Sequence, residues 1–263
     1  MSTVLLDVRD GVAVLTLNRP DAQNTVSLQL AMDLEEATRT IAPSERSGDA
    51  KGARSVLLAA NGPSFCAGGD LKEFGGKDDL AGHINEVLAY LHPAIERLDS
   101  LDVPVVAAVR GSAAGAGLGL ACAADIVLAS PDAKFVSAYT RIGLSPDGST
   151  SYSLPRLVGM RRALEMVLTN RILDASEALD WGIVTRIVDD AALDDEAMTV
   201  AKQLAAGAPT GLGAARRLVR DSLGRTLGHQ LDMEAEAILR SAAHANAKEG
   251  IRAFIEKRSP NYG

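Results

Sequence analysis

The chain has 263 residues, 47% of them hydrophobic but only 3% aromatic, and carries a formal net charge of −7. That length can bury a substantial core, as one large domain or one domain with an appendage, and Ala, Leu and Val must fill it. The acidic balance argues against a generic nucleic-acid surface, although a local group of Arg and Lys is enough to hold a small anion. Two cysteines, Cys66 and Cys122, are too few for a disulfide scaffold and fit a reduced, cytoplasmic setting. Met1 to Asp7 shows no basic segment followed by an apolar one, so no signal peptide is expected.

In chain order, Val12–Leu17 reads as a strand closed by Asn18-Arg19-Pro20. Ser27 is placed to cap a helix whose Leu30, Ala31, Leu34, Thr38 and Ile41 share one face. Pro43–Ala53 is polar and loop-like. Val56–Ala60 reads as a buried strand, and Leu80–Leu101 as a helix that Pro93 should kink or restart near His92. The apolar run Val103–Leu120 is interrupted by Arg110, Gly111 and Ser112, so a buried strand and a helix start are expected rather than a membrane span. Val105–Val109 and Ile126–Leu128 are strands with a helix from about Ala116 to Ala123 between them, a repetition that predicts a mainly parallel α/β core. Beyond Asp194 the pattern turns helical, punctuated by Pro209, Gly224 and Gly228 into about three helices. By composition the chain divides into a core, residues 1–195, and a helical region, 196–263. The stripe Leu231, Glu234, Ala235, Ile238, Leu239 is a helix face that wants a partner.

Two distant segments carry the functional signal: Phe65-Cys-Ala-Gly-Gly-Asp-Leu71 and Val109-Arg-Gly-Ser-Ala-Ala-Gly-Ala-Gly-Leu-Gly119. Each puts small residues where an apolar strand ends and a helix begins, so backbone N–H groups can approach a ligand closely. A dinucleotide fingerprint needs its third glycine three positions after the second, whereas Gly117 and Gly119 are two apart. No Gly-x-Ser-x-Gly elbow is present, and the four histidines (His83, His92, His229, His244) have no ligand spacing, so neither a serine hydrolase nor a metal site is expected.

At these residues, and along nearly the whole chain from Val12 to about Phe254, the sequence resembles the crotonase superfamily, also called the enoyl-CoA hydratase/isomerase family. The resemblance implies a spiral of ββα units with C-terminal helices that pack in a homotrimer or a dimer of trimers. It implies that the N–H groups of Gly69 and Ala116 form an oxyanion hole for a thioester enolate, with Asp70 bracing the first turn. Coenzyme A enters as part of the substrate, with no tightly bound cofactor, no nucleic acid and no membrane. Arg19 and Lys257 or Arg258 are candidates to meet its phosphates, and Ala67 would offer backbone groups to its adenine. Leu71, Phe74, Leu144 and Phe254 are candidate pocket walls.

In family hydratases two Glu residues hold and deprotonate the attacking water. Their positions here are Gly119 and Tyr139; glycine moves no proton, and a phenol of pKa about 10 is a poor base near neutrality. A carboxylate appears instead in Ile142-Gly-Leu-Ser-Pro-Asp-Gly-Ser-Thr150. The stretch Phe135 to Gly159 resembles the enoyl-CoA isomerase branch that includes the phenylacetate-pathway isomerases. There the Asp of the Pro-Asp-Gly turn is the acid/base, and it maps onto Asp147. The branch usually has Gly where this chain has Ser149. The expected activity is therefore a double-bond shift. A hydratase with atypical residues, or a CoA-thioester-binding paralogue with little turnover, are the alternatives.

Overall fold

A computed structural model of the chain describes residues 2–41 and 52–262. Most of the loop expected at Pro43–Ala53 lies outside them. Strands β1 (Val4–Arg9) and β2 (Val12–Leu17) form an antiparallel hairpin. Its two-residue turn, Asp10-Gly11, has positive φ at both positions, the backbone twist that suits tight hairpins. Helix α1 (Leu28–Ile41) starts where Ser27 Oγ accepts the Leu30 N–H at 3.2 Å, and it buries Leu30, Ala31, Leu34, Thr38 and Ile41.

From there each turn of the chain has one shape: a strand in the main sheet, a short extended segment in a second layer, then a helix. Strand β3 (Ser55–Ala60) leads through Cys66 and Gly69 to α2 (Leu71–Phe74) and α3 (Leu80–Ser100). Strand β4 (Val105–Val109) leads through β5 (Ser112–Ala114) to α4 (Ala116–Ala123). Strand β6 (Ile126–Ala129) leads through β7 (Lys134–Val136) to α5 (Thr150–Val158) and α6 (Met160–Thr169). Short pieces follow: β8 (Leu173–Asp174), α7 (Ala175–Trp181) and β9 (Arg186–Ile187). The main sheet has the order β1-β2-β3-β4-β6-β9, parallel except for the hairpin. The second layer is β5-β7-β8, extended by isolated bridges Cys66–Ala113 and Val26–Gly69.

The main sheet is covered on both faces, so its strands are apolar throughout rather than alternating. Ala13, Leu15, Leu58, Ala107 and Val109 face the core beneath α1, α3 and α4. Val12, Val14, Leu57, Val106 and Leu128 pack against Leu193, Ala197, Val200 and Ala201 of α8 (Leu193–Ala205). The compositional boundary at residue 195 therefore falls inside a helix that covers the sheet. Helix α3 runs through Pro93 as one element instead of restarting at His92. Its buried Val87, Leu91, Ala94 and Leu98 pack into the core around that position, and this packing outweighs one missing hydrogen bond.

Four helices, not three, end the chain: α8, α9 (Pro209–Asp221), α10 (Leu227–Ala243) and α11 (Ala245–Ile255). Pro209 opens α9, where its missing N–H costs nothing, while Gly228 lies inside α10. Arg216 fastens α9 to the core: its guanidinium donates to Asp125 and to the carbonyls of Leu98, Asp99 and Leu101. Helix α10 buries no residue in the single chain, and Leu231, Ile238 and Leu239 stand exposed. Among the described residues no helix is long and apolar enough to cross a membrane.

Candidate active site

The two glycine turns meet. Val26 donates its N–H to the Gly68 carbonyl (2.7 Å) and accepts from the Asp70 N–H (3.0 Å). This bridge uses the groups on either side of Gly69 and turns the Gly69 N–H the other way. Cys66 is bridged likewise, accepting from Ala114 and donating to Ser112, both at 2.9 Å. Gly68 (φ +99) and Gly115 (φ +52) hold backbone that favours glycine, and a Cβ on Gly115 would stand 3.5 Å from the Gly68 Cα. Ala116 is the first residue of α4, so its N–H is one of the donors a helix start leaves open. No backbone carbonyl among the described residues accepts the N–H of Gly69 or Ala116. Both residues line a pocket of about 300 Å³.

Side chains brace the first turn from below. Asp70 caps α2 by accepting the Glu73 N–H at 3.2 Å and takes the Arg19 guanidinium at 2.9 Å. Burial acts to raise the Asp70 pKa, but these hydrogen bonds and the Arg19 charge outweigh it and hold the carboxyl below its ordinary range. Arg19 also donates to the Thr25 carbonyl at 2.6 Å. Both ends of its fork are thus engaged in the turn, and it is not among the residues lining the pocket. The Phe74 ring lies against Gly69, where a Cβ would meet it at 2.8 Å, and His83 packs edge-on to that ring at 5.7 Å.

Tyr139 and Asp147 line the same pocket. A Cβ on Gly119 would come within 1.9 Å of the Gly148 carbonyl oxygen. The loop carrying Asp147 therefore rests on bare helix backbone, in the space a longer side chain at 119 would need. Asp147 lines the pocket. Its Oδ1 accepts the Tyr139 hydroxyl at 2.5 Å, and its own carbonyl accepts the Thr150 N–H at 3.0 Å. Burial first, then the Asp147 charge and the hydrogen bond to it, push the Tyr139 phenol far above its ordinary pKa. Tyr139 is thus a donor, not a base. Ser149 adopts left-handed backbone (φ +68) at the start of α5, a conformation that favours glycine.

Leu71, Phe74 and Leu144, three of the candidate walls, line the pocket, and so does Ala67. The Ala67 N–H is taken by the Gln23 carbonyl at 3.0 Å, so its carbonyl is the backbone group left for a ligand. Phe254 is not a wall of this pocket: it stands 85% exposed on α11. Lys257 lies just beyond α11, exposed, and Arg258 is paired with Glu249 and Glu256. Sequence reasoning did not single out Ile84, Val87, Leu88 and Leu91, four lining residues at helical spacing on α3, nor Arg141, the only basic residue among the described lining. The i, i+3, i+4, i+7 pattern of the first four was available as a signal. Cys66 and Cys122 are buried thiols, and burial pushes them up to about 11 and about 12, which suits packing rather than nucleophilic chemistry. No cluster of potential metal ligands occurs among the described residues.

A sequence model of the enoyl-CoA hydratase/isomerase family matches residues 7–263. The chain is 36% identical to a 1,2-epoxyphenylacetyl-CoA isomerase of Escherichia coli K12, covering 100% of this chain and 98% of that one. It is also 36% identical to a 4-chlorobenzoyl coenzyme A dehalogenase of an Arthrobacter species, over 94% of this chain and 88% of that one. Among solved structures, an enoyl-CoA hydratase of Mycobacterium smegmatis superposes with a TM-score of 0.90 at 31% identity, over 100% and 99% of the two chains.

Proposed function

Because the chain belongs to the enoyl-CoA hydratase/isomerase family, we propose that it shifts a carbon–carbon double bond in an enoyl-CoA thioester, with Asp147 as the acid/base. One observation carries this reading. Asp147 lines the same pocket as the open N–H groups of Gly69 and Ala116, while the Gly148 carbonyl fills the space at Gly119 where a hydratase glutamate would stand.

The chemistry follows from the placement. The thioester oxygen accepts the N–H groups of Gly69 and Ala116, which stabilise negative charge on that oxygen and so acidify the neighbouring carbon. Asp147 removes a proton there, leaving a flat dienolate, and returns it at the γ carbon. Leu71, Phe74, Val87, Leu91 and Leu144 give the acyl group apolar walls that keep water away from the dienolate. A single carboxylate serves both transfers because both carbons present the same face to it.

The test is a comparison of two reactions. A 3-enoyl-CoA should be converted to its 2-enoyl isomer with exchange of the α proton in deuterated water, while a 2-enoyl-CoA gains water slowly or not at all. Rapid hydration without isomerisation would overturn the reading. We also propose that the chain works as a trimer or a pair of trimers. The exposed Leu227, Leu231, Ile238, Leu239 and Phe254 on the last two helices support this, since a monomer seldom leaves so much apolar surface wet. Light scattering should give a mass of at least three chains; a stable 27.5 kDa species would refute it.

A further inference from the structure

We propose that Tyr139 is a positioning residue that fixes which oxygen of Asp147 carries the migrating proton. This rests on the reading of Asp147 as the acid/base. The phenol is held on several sides. Its ring lies against Gly115, where a Cβ would come 3.7 Å from Tyr139 Cζ, and its hydroxyl lies near Gly148, where a Cβ would come 3.7 Å from it. The Leu144 N–H donates to the Tyr139 carbonyl at 3.1 Å, closing the loop that leads to Asp147.

The hydroxyl donates to Asp147 Oδ1 at 2.5 Å and reaches the Asp147 carbonyl at 3.3 Å. Asp147 Oδ2 has no hydrogen-bond partner among the described residues. The two carboxylate oxygens are therefore unequal: Oδ1 is occupied by a donor that keeps its proton, and Oδ2 is left for the substrate. In the reaction the pair of electrons in the α C–H bond passes into the dienolate and the proton goes to Oδ2. It then leaves Oδ2 for the γ carbon, and the carboxylate is restored. With Oδ1 fastened, the acid cannot turn its proton away between the two steps, so a share of the protons is delivered before solvent replaces them.

The experiment follows a label. A 3-enoyl-CoA carrying deuterium at the α carbon is converted in ordinary water, and deuterium at the γ carbon of the product is measured by mass spectrometry. Wild type should deliver a measurable share. Tyr139→Phe, folded by circular dichroism, should lower kcat on the order of tenfold, as for loss of one hydrogen bond to a charged group, with KM within about twofold. Its delivered share should fall at least about threefold. Replacing Tyr139 by 3-fluorotyrosine, which keeps the shape and a stronger donor, should leave the share at or above the wild-type value. A wild type that delivers no deuterium, or a Phe variant whose share is unchanged whatever its kcat, overturns the proposal. So does a fluorotyrosine enzyme that behaves like the Phe variant. Asp147→Asn is the separate control: if it still exchanges the α proton at the wild-type rate, the acid/base reading fails rather than the role of Tyr139.

Discussion

Along one wall of the pocket the groups proposed to meet a thioester are backbone, the N–H groups of Gly69 and Ala116. Along the other the proposed acid/base is a side chain, Asp147, on a loop tied down by Tyr139 and by contact with Gly119. The first wall is fixed by strand bridges at Val26 and Cys66 and by a helix start, so its geometry is inherited from the fold itself. The second depends on particular residues, one of them in costly backbone: Ser149 in the left-handed region. A fold can thus keep its charge-stabilising wall while the facing loop changes, which is how one scaffold hosts different chemistries on the same class of ligand.

The contrast can be broken from the loop side first. Asp147→Asn keeps size and shape but accepts no proton near neutrality, so turnover should fall by roughly 10²–10⁴ with KM little changed. Steady-state kinetics on a 3-enoyl-CoA checks this. On the backbone wall, Ala116→Pro removes one donor at the first helical position, where proline is tolerated. Loss of one oxyanion donor costs about 10²–10³ in rate; a folded variant with full activity would remove Ala116 from the site.

The third change strikes the junction of the two walls. Gly119→Ala places a methyl on the Gly148 carbonyl and must displace the loop. We expect a loss of about 1–3 kcal/mol in stability and about 10² in rate, since misplacing a reacting group by about 1 Å has that effect. Chemical denaturation and kinetics together check it. The smallest effect belongs to Ser149→Gly, which should relieve the left-handed backbone by about 1 kcal/mol and raise the melting temperature by about 2–4 °C.

The same contrast explains what the sequence disclosed. Strand β2, helix α4 and the two glycine turns were legible because apolar runs and glycine spacing report backbone requirements directly. Asp147 was legible through its Pro-Asp-Gly turn and its resemblance to a known branch. The hydrogen bond from Tyr139 was not, because the seven residues between them say nothing of a loop that folds back. The partner of Arg19 was equally hidden: a basic residue beside a turn suggests an anion ligand, and its pairing with Asp70, fifty-one positions away, shows only in the fold. The place of Phe254 was hidden differently, since an aromatic near the end of the chain says nothing about whether its helix reaches the pocket of the same chain or stands clear of it.

The contact between Gly119 and the Gly148 carbonyl also constrains history. A glutamate at 119 and the present Asp147 loop compete for one volume, so neither can be added while the other stays in place. Any route that installs a longer side chain at 119 must first open the Asp147 loop, and any route back must clear that side chain before the loop can settle.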